Sequence, residues 1–445
     1  MECEVIVVGG GIGGLTVAAL LAARGVDVCL FERQSRTGGC VSTFEHLGQS
    51  FDPTFGLFAG WEAGGIWERV FADLPIGPPR ITKLSPNFAV RLPEGTDVPV
   101  GSDREALEQN VANAFPDCAD QAVQFIRRTF DSTADVELLT HTNETFRAFI
   151  NAQLAFLAQR TIETAEPSRL MDILRIANGN FWEIEGGPQS LADCLAGSFK
   201  QSGGHLRLNS PVLRLAYAED GTPNGIDLLS GEHVAAKRAM ISNLTVWDTY
   251  GKLVGLRRTP PAIAAQLKQM SAWGAYQVFM LIDEAALATL PSRRIIFGSS
   301  AQEASPTEHM FLNIQSPHGQ AQSAGKRCAT LTTFTDAHEW FAFHEDATWH
   351  EEKDQAALEE VWGRLHAAAP EIAAGAEVFE TATPQTYYES VRRKMGLIGS
   401  PTKRLDLPPD INKLFLVGDT SSDGIGMAGV AEDAYRLAQN LLTTG

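Results

Sequence analysis

"ECEVIVVGGGIGGL", residues 2–15, reads as one short strand feeding a glycine-rich turn. Val5 to Val8 is uninterruptedly apolar, the pattern of a parallel strand buried on both faces. Gly9, Gly11 and Gly14 satisfy G-x-G-x-x-G. The first permits a tight turn, the second lets the backbone approach a pyrophosphate, and the third lets a helix lie close on the sheet. A helix is predicted over about 13–24, ending near Gly25, and "VDVCLFE" (26–32) follows as a second strand. Its last residue, Glu32, falls 18 residues after Gly14 (32 − 14), close to the spacing of an acid that holds a ribose hydroxyl. An acid there, rather than a basic residue, makes NADP the least expected occupant. Strand, loop, helix, strand and acid in register establish a dinucleotide site, with phosphate charge met by the helix N-terminus.

A comparable unit closes the chain. "LFLVGDTSSDGIGMAGVAEDAYRLAQNLL" (414–442) reads as an apolar strand, a Gly-Asp pair and a glycine-rich bend into a helix. Between the two ends, "RQSRTGGCVSTF" (33–44) carries the Gly38-Gly39 pair, which puts bare backbone amides beside the pyrophosphate. "EIEGGPQSLADCLAGSFKQSGGHLRLNSPVLRL" (183–215) reads as loop, helix, glycine stop and strand.

Together with "GQSFDPTFG", "ISN" and "TPQTYYESVRRKMGLIG", these stretches resemble the FAD-dependent phytoene desaturase, carotenoid isomerase and retinol saturase family, within the wider amine-oxidase-like flavoproteins. "AGWEAGGIWERVFADL" and "TFRAFINAQLAFLAQRTIETA" are most similar to carotenoid 3,4-desaturase-like members. The resemblance implies FAD as cofactor. It implies that Gly9, Gly11 and Gly14 cradle the pyrophosphate, Glu32 holds the adenosine ribose, and Gly39 and Cys40 lie near the phosphates or ribityl chain. Val212 is expected against adenine and Asp419 at the ribityl or phosphate region. Met427 is expected where the last helix points its N-terminus at the flavin pyrimidine ring, which carries negative charge when reduced. Ile12, Gly13, Arg33, Gly38, Gly418 and Gly426, within the same motifs, complete the expected cofactor contacts. The chain departs from the family pattern at three places: Cys40 replaces an arginine, Thr54 replaces a glycine, and Asp423-Gly424 replaces Pro-Gly.

The fold expected is α/β: a Rossmann-like FAD-binding domain interleaved with a mixed α+β substrate domain and a helical lid. The segments are 1–75, 186–250 and 385–445 for the cofactor, 76–100 and 251–384 for the substrate, and 101–185 for the lid. Ser102 to Glu105 reads as a capping box opening the lid, and "FRAFINAQLAFLAQR" (146–160) as an internal helix face. "AWGAYQVFMLID" (272–283) and "CATLTTFTDA" (328–337) read as strands of a larger sheet.

A length of 445 residues predicts two or three domains. The net charge of −18 argues against nucleic acid, which needs clustered Lys and Arg. Six cysteines spread along the chain without a C-x-x-C pair suggest neither a disulfide framework nor zinc, and a reducing cytoplasm. No spanning segment or leader is expected, so the expected location is cytoplasmic, with possible peripheral contact with a membrane. His338, His344 and His350 recur every six residues, which suits neither helical i, i+4 ligation nor convergent strands, so no metal is expected. Trp61, Trp182 and Tyr388 are candidates for an apolar substrate channel, whereas Arg392, Arg393 and Lys394 read as a solvated loop rather than as partners of a polar substrate end. No residue declares itself as a catalytic base.

The function implied is hydride transfer between a carotenoid-like polyene and flavin N5, in the desaturating direction. Only one complete dinucleotide fingerprint is present, so an external electron acceptor or donor is expected. Isomerisation and saturation of such a substrate, an amine-oxidase-like enzyme for a smaller polar substrate, and a non-catalytic flavoprotein are the rival readings.

Overall fold

The computed structural model describes residues 1–131, 136–288, 290–298, 305–316, 325–342, 346–399, 405, 413–422 and 424–443. The opening strand β1 (Glu2–Val8), helix α1 (Ile12–Ala23) and strand β2 (Val28–Phe31) form a parallel βαβ unit in which Val5 to Val8 pair with Val28 to Phe31. The sheet built on it runs in the order Val212–Tyr217, Pro223–Leu228, His233–Ser242, β1, β2, His205–Arg207.

The ten-residue strand His233–Ser242 is longer than its neighbours and uses one edge twice. Its first half pairs antiparallel with Pro223–Leu228, and its second half pairs parallel with Leu414–Leu416. The C-terminal strand thus joins the N-terminal sheet, separated from β1 by His233–Ser242. Helix α1 is buried from Ile12 to Ala22, because it packs on the sheet and against both Pro188–Gln201 and the last helix, Gly426–Thr443. Gly25, at φ 82°, supplies its left-handed stop.

Cys3 and Cys29 are joined as a disulfide across β1 and β2, contrary to the expectation of unpaired cysteines. The crossover through α1 brings residues 26 apart in sequence onto adjacent strands, which no local cysteine spacing reveals.

A second sheet runs in the order Ala376–Ala382, Gly274–Asp283, Lys326–Thr335, Met310–Ile314, Arg294–Phe297, Phe88–Arg91, Asp97–Val100. Its central strands are apolar on both faces because both are covered. Ile296 and Phe311 pack into the helices between Arg104 and Ala177, while Ile295, Phe297, Met310 and Leu312 share a core with Val361 and Leu365 of helix Ala347–Ala368. The alternation along each strand sorts the residues to the two covers.

The helix Glu144–Ala158 is buried over most of its length, including Asn151 and Gln153. The helix predicted to open with a Ser102–Glu105 box instead has Asp103 as its cap, whose carboxylate accepts from Ala106 N at 3.0 Å. Asp103 takes the cap position because the helix begins at Arg104, one residue later than a Ser102 cap requires. Among the described residues no helix is long and apolar enough to cross a membrane.

Candidate functional site

The site starts at the glycine turn after β1. Gly9 sits at φ 99°, a conformation open to glycine. A Cβ on Gly14 would lie 2.2 Å from the Gly9 carbonyl oxygen, so the helix reaches the turn only because that atom is missing. A Cβ on Gly11 would lie 2.6 Å from Asn243 Oδ1. Asn243 follows the long strand directly; its backbone N donates to Val8 O at 2.8 Å and its Nδ2 donates to Val417 O at 2.7 Å. One asparagine therefore ties the opening turn to the closing strand. The sequence shows it within "ISN", but nothing local marks it as the knot between the two ends. Glu32, at the end of β2, is held in place by Gly10 N and Gln34 N, each donating to its carboxylate at 2.7 Å.

The second glycine loop lies directly on the first. Gly38 N donates to Gly10 O at 2.8 Å, and a Cβ on Gly39 would come 3.4 Å from Gly11 Cα. Beyond it, Cys40 faces Arg393, which forms a forked pair with Asp419: its Nη2 donates at 2.8 Å and its Nη1 at 3.2 Å. A third guanidinium hydrogen goes to Leu397 O at 2.6 Å. Burial lowers the proton affinity of Arg393, but Asp419, with Cys40 and Asp248, outweighs it and raises the guanidinium above its ordinary value. Burial likewise pushes the Cys40 thiol up, against the pull of Arg393.

Arg393 corrects the reading of this basic run as a solvated loop. Arg392, at φ 55°, ends helix Pro384–Val391 in the left-handed region and remains exposed, and the turn it makes directs the next side chain inward. The cation missing at Cys40 is thus present in the site, supplied by a different element.

These loops wall a cavity of about 730 Å³. Gly9, Gly11, Ile12, Gly13, Glu32, Arg33, Gly38, Gly39, Cys40, Val212, Gly418, Asp419, Gly426 and Met427 all line it. Gly14 does not; it stands behind the turn and serves the packing of α1. Trp61 and Tyr388 line it, but Trp182 does not. Trp182 opens the strand Trp182–Ile184 and exchanges backbone hydrogen bonds with Phe58, while the preceding residue, Phe181, reaches the cavity. Neighbours on extended backbone point to opposite sides. Tyr388 sits among cations, with Arg392 and Lys252 over its ring. The adjacent Tyr387 donates to Gln277 Oε1 on the cavity wall.

Asp423 and His344 lie outside the described residues. Among the described residues no cluster of His, Cys, Asp or Glu is placed to hold a metal ion.

The donor set suits a flavin dinucleotide: bare glycine backbone at the N-terminus of α1, a fixed carboxylate at the end of β2, and the start of the helix Gly426–Thr443 on the same cavity. Residues 7–74 match the NAD(P)-binding Rossmann-like domain, and residues 85–442 match the flavin-containing amine oxidoreductase family. The chain belongs to that family and is an FAD-dependent oxidoreductase.

Within the family it is related to the carotenoid and retinoid enzymes. It is 23% identical over 500 residues to prolycopene isomerase 2, chloroplastic, of an Oncidium hybrid cultivar, spanning 99% of this chain and 84% of that one. It is 23% identical over 470 residues to all-trans-retinol 13,14-reductase of Danio rerio, spanning 89% of this chain and 77% of the other. The crystal structure of an oxidoreductase from Methanosarcina mazei shares the fold with a TM-score of 0.72 at 17% identity, over 99% of this chain and 100% of that one.

Proposed function

We propose that the enzyme transfers a hydride between a lipophilic, carotenoid-like polyene and flavin N5, in the desaturating direction. One observation carries this reading: one wall of the cavity is predominantly apolar and carries no charge. The wall segments from 53–67, 156–181 and 332–334 contribute Phe55, Leu57, Phe58, Phe156, Leu157 and Phe334 but no carboxylate, amine or guanidinium. An amine substrate enters as a cation, and no anion awaits it there. Phe55 packs edge-on against Phe156 and Phe311, so the wall is a rigid aromatic surface suited to a flat conjugated chain.

Holding the polyene against the flavin in a dry cavity supplies catalysis by orientation. The flavin supplies the hydride chemistry when bound. Glu32 fixes the ribose, and the glycines of both loops bring backbone donors to the pyrophosphate. Asp419, oriented by Arg393, serves the ribityl region, and the helices of 101–185 form the lid. The relatives named for an isomerase and a reductase of polyenes support the substrate class. The stretches most similar to carotenoid 3,4-desaturase-like members support the direction. Electrons leave to an external acceptor, and the apolar substrate makes peripheral contact with a membrane its route of supply.

The test is to incubate the holoenzyme with an acyclic carotene in detergent and a quinone acceptor, then follow the pigment spectrum. A product with a longer conjugated system is expected. A geometric isomer alone would replace desaturation by isomerisation, and an unchanged pigment would remove the polyene.

A further inference from the structure

The uncharged wall of the cavity carries a polar cluster that a hydrocarbon cannot satisfy. Gln277 and Thr332 stand directly opposite each other on the antiparallel strands Gly274–Asp283 and Lys326–Thr335. Every second side chain of a strand shares a face. Thr332 and Gln277 therefore lie on the face that carries Phe334, and all three line the cavity. Both polar residues are nearly sealed, Gln277 at 1% exposed and Thr332 at 3%. A glutamine inside the apolar run "AYQVFMLI" (275–282) has a buried amide that needs partners.

Those partners fix the direction of every hydrogen bond. Pro53 O is a carbonyl and only accepts, so the atom that meets it at 2.8 Å is the Gln277 nitrogen, Nε2. The second hydrogen of that nitrogen goes to Thr332 Oγ1 at 2.9 Å. Oε1 is left to accept, and the Tyr387 hydroxyl donates to it. Burial pushes the Tyr387 hydroxyl up, so it keeps the proton that it donates. The Thr332 hydroxyl has accepted, and its own proton meets no acceptor among the described residues. Tyr387 has its proton engaged, and no described residue donates to its oxygen. Two oxygens thus hang on one carboxamide, one with a hydrogen to give and the other with lone pairs to receive.

We infer that Thr332 and Tyr387 are specificity-determining residues that together hold a hydroxyl group of the substrate, with Gln277 the positioning residue that orients both. This rests on the polyene reading of the cavity. An alcohol accepts from Thr332 Oγ1 and donates to Tyr387 Oη, which completes the cluster in a dry site. A pure hydrocarbon in its place leaves the Thr332 proton buried without an acceptor, the kind of mismatch that a binding site discriminates against most strongly. An ether oxygen meets Thr332 but gives nothing to Tyr387. An ammonium group has no acceptor at all, so Thr332 would face it donor to donor.

The experiment measures dissociation constants of the FAD-loaded protein, anaerobically, from quenching of tryptophan fluorescence. Three probes in detergent are compared: an acyclic carotene, the same chain bearing one terminal hydroxyl, and the methyl ether of that alcohol. Wild type is expected to bind the alcohol tightest, the ether about tenfold more weakly, and the hydrocarbon about tenfold more weakly again. In Thr332→Val the ether should fall to the level of the hydrocarbon, and Thr332→Ser should restore it. In Tyr387→Phe the alcohol should fall to the level of the ether while the hydrocarbon keeps its affinity. Should Tyr387→Phe fail to fold, the two Thr332 variants decide by themselves. Equal weakening of all three probes in Thr332→Val, or loss of flavin from that variant, overturns the role of Thr332. Wild type that binds the three probes equally overturns the hydroxyl and leaves the polyene standing. Wild type that binds none of them removes the polyene reading and the hydroxyl with it.

Discussion

Gly14 shows how one absent atom sets the site. Its neighbour across the turn is a backbone oxygen, which cannot rotate away as a side chain can. Gly14→Ala is therefore expected to push α1 off the turn, leaving protein that purifies largely without flavin and melts several degrees lower; full flavin content would contradict this. Arg393 is the opposite case, a residue whose charge is held by what surrounds it. Arg393→Met strips Asp419 of its forked partner and should cost about 2 kcal/mol of stability, read as a lower urea midpoint together with weaker flavin retention. His309 makes a pH prediction. It is 3% exposed, and burial, with Arg364 nearby, pushes its pKa down to about 4. The folded chain then refuses a proton that the unfolded chain accepts near 6.5. Its contribution is intact above pH 6.5 and is lost as pH falls towards 4. The difference in urea midpoint between wild type and His309→Gln should shrink across that window; a difference independent of pH would show that burial is not what holds His309 neutral.

At the scale of elements, what was legible from sequence depended on whether the determining contact was local. The βαβ unit was legible because strand, turn, helix and acid follow one another with fixed spacing, and each residue type has one physical role. The closing strand was legible by the same logic. Asp103 was missed by one residue, because Ser102 and Asp103 both make good caps and only the first helical turn tells them apart. Asp103→Ala should cost about 1 kcal/mol, visible in thermal melting, whereas Ser102→Ala should be nearly silent. Trp182 and Phe181 are adjacent aromatics, and only the pairing of the Trp182 strand with Ile81–Lys83 and Phe58 decides which faces the cavity. Arg393 was hidden in a run that reads as solvated surface; the left-handed Arg392 that turns it inward carries no residue-type signature. The Cys3–Cys29 bridge and the role of Asn243 depend on strand order, which spacing along the chain does not contain.

For the molecule as a whole, the arrangement gathers segments from both ends and the middle around one cavity, and closes its far side with aromatic residues from a second sheet and a helical cover. Asn243 joins the first turn to the last strand, so the cofactor site forms only when residues more than 400 apart have met (417 − 9). Flavin binding should accordingly stabilise the whole chain against unfolding rather than one end of it. The central claim is that this cavity presents an uncharged aromatic wall to a polyene beside the flavin. It is tested most directly by an anaerobic titration of the oxidised holoenzyme, following the flavin absorbance, first with an acyclic carotene in detergent and then with a primary amine. The account predicts bleaching by the carotene and none by the amine. Bleaching by the amine alone would contradict it and make the enzyme an amine oxidase.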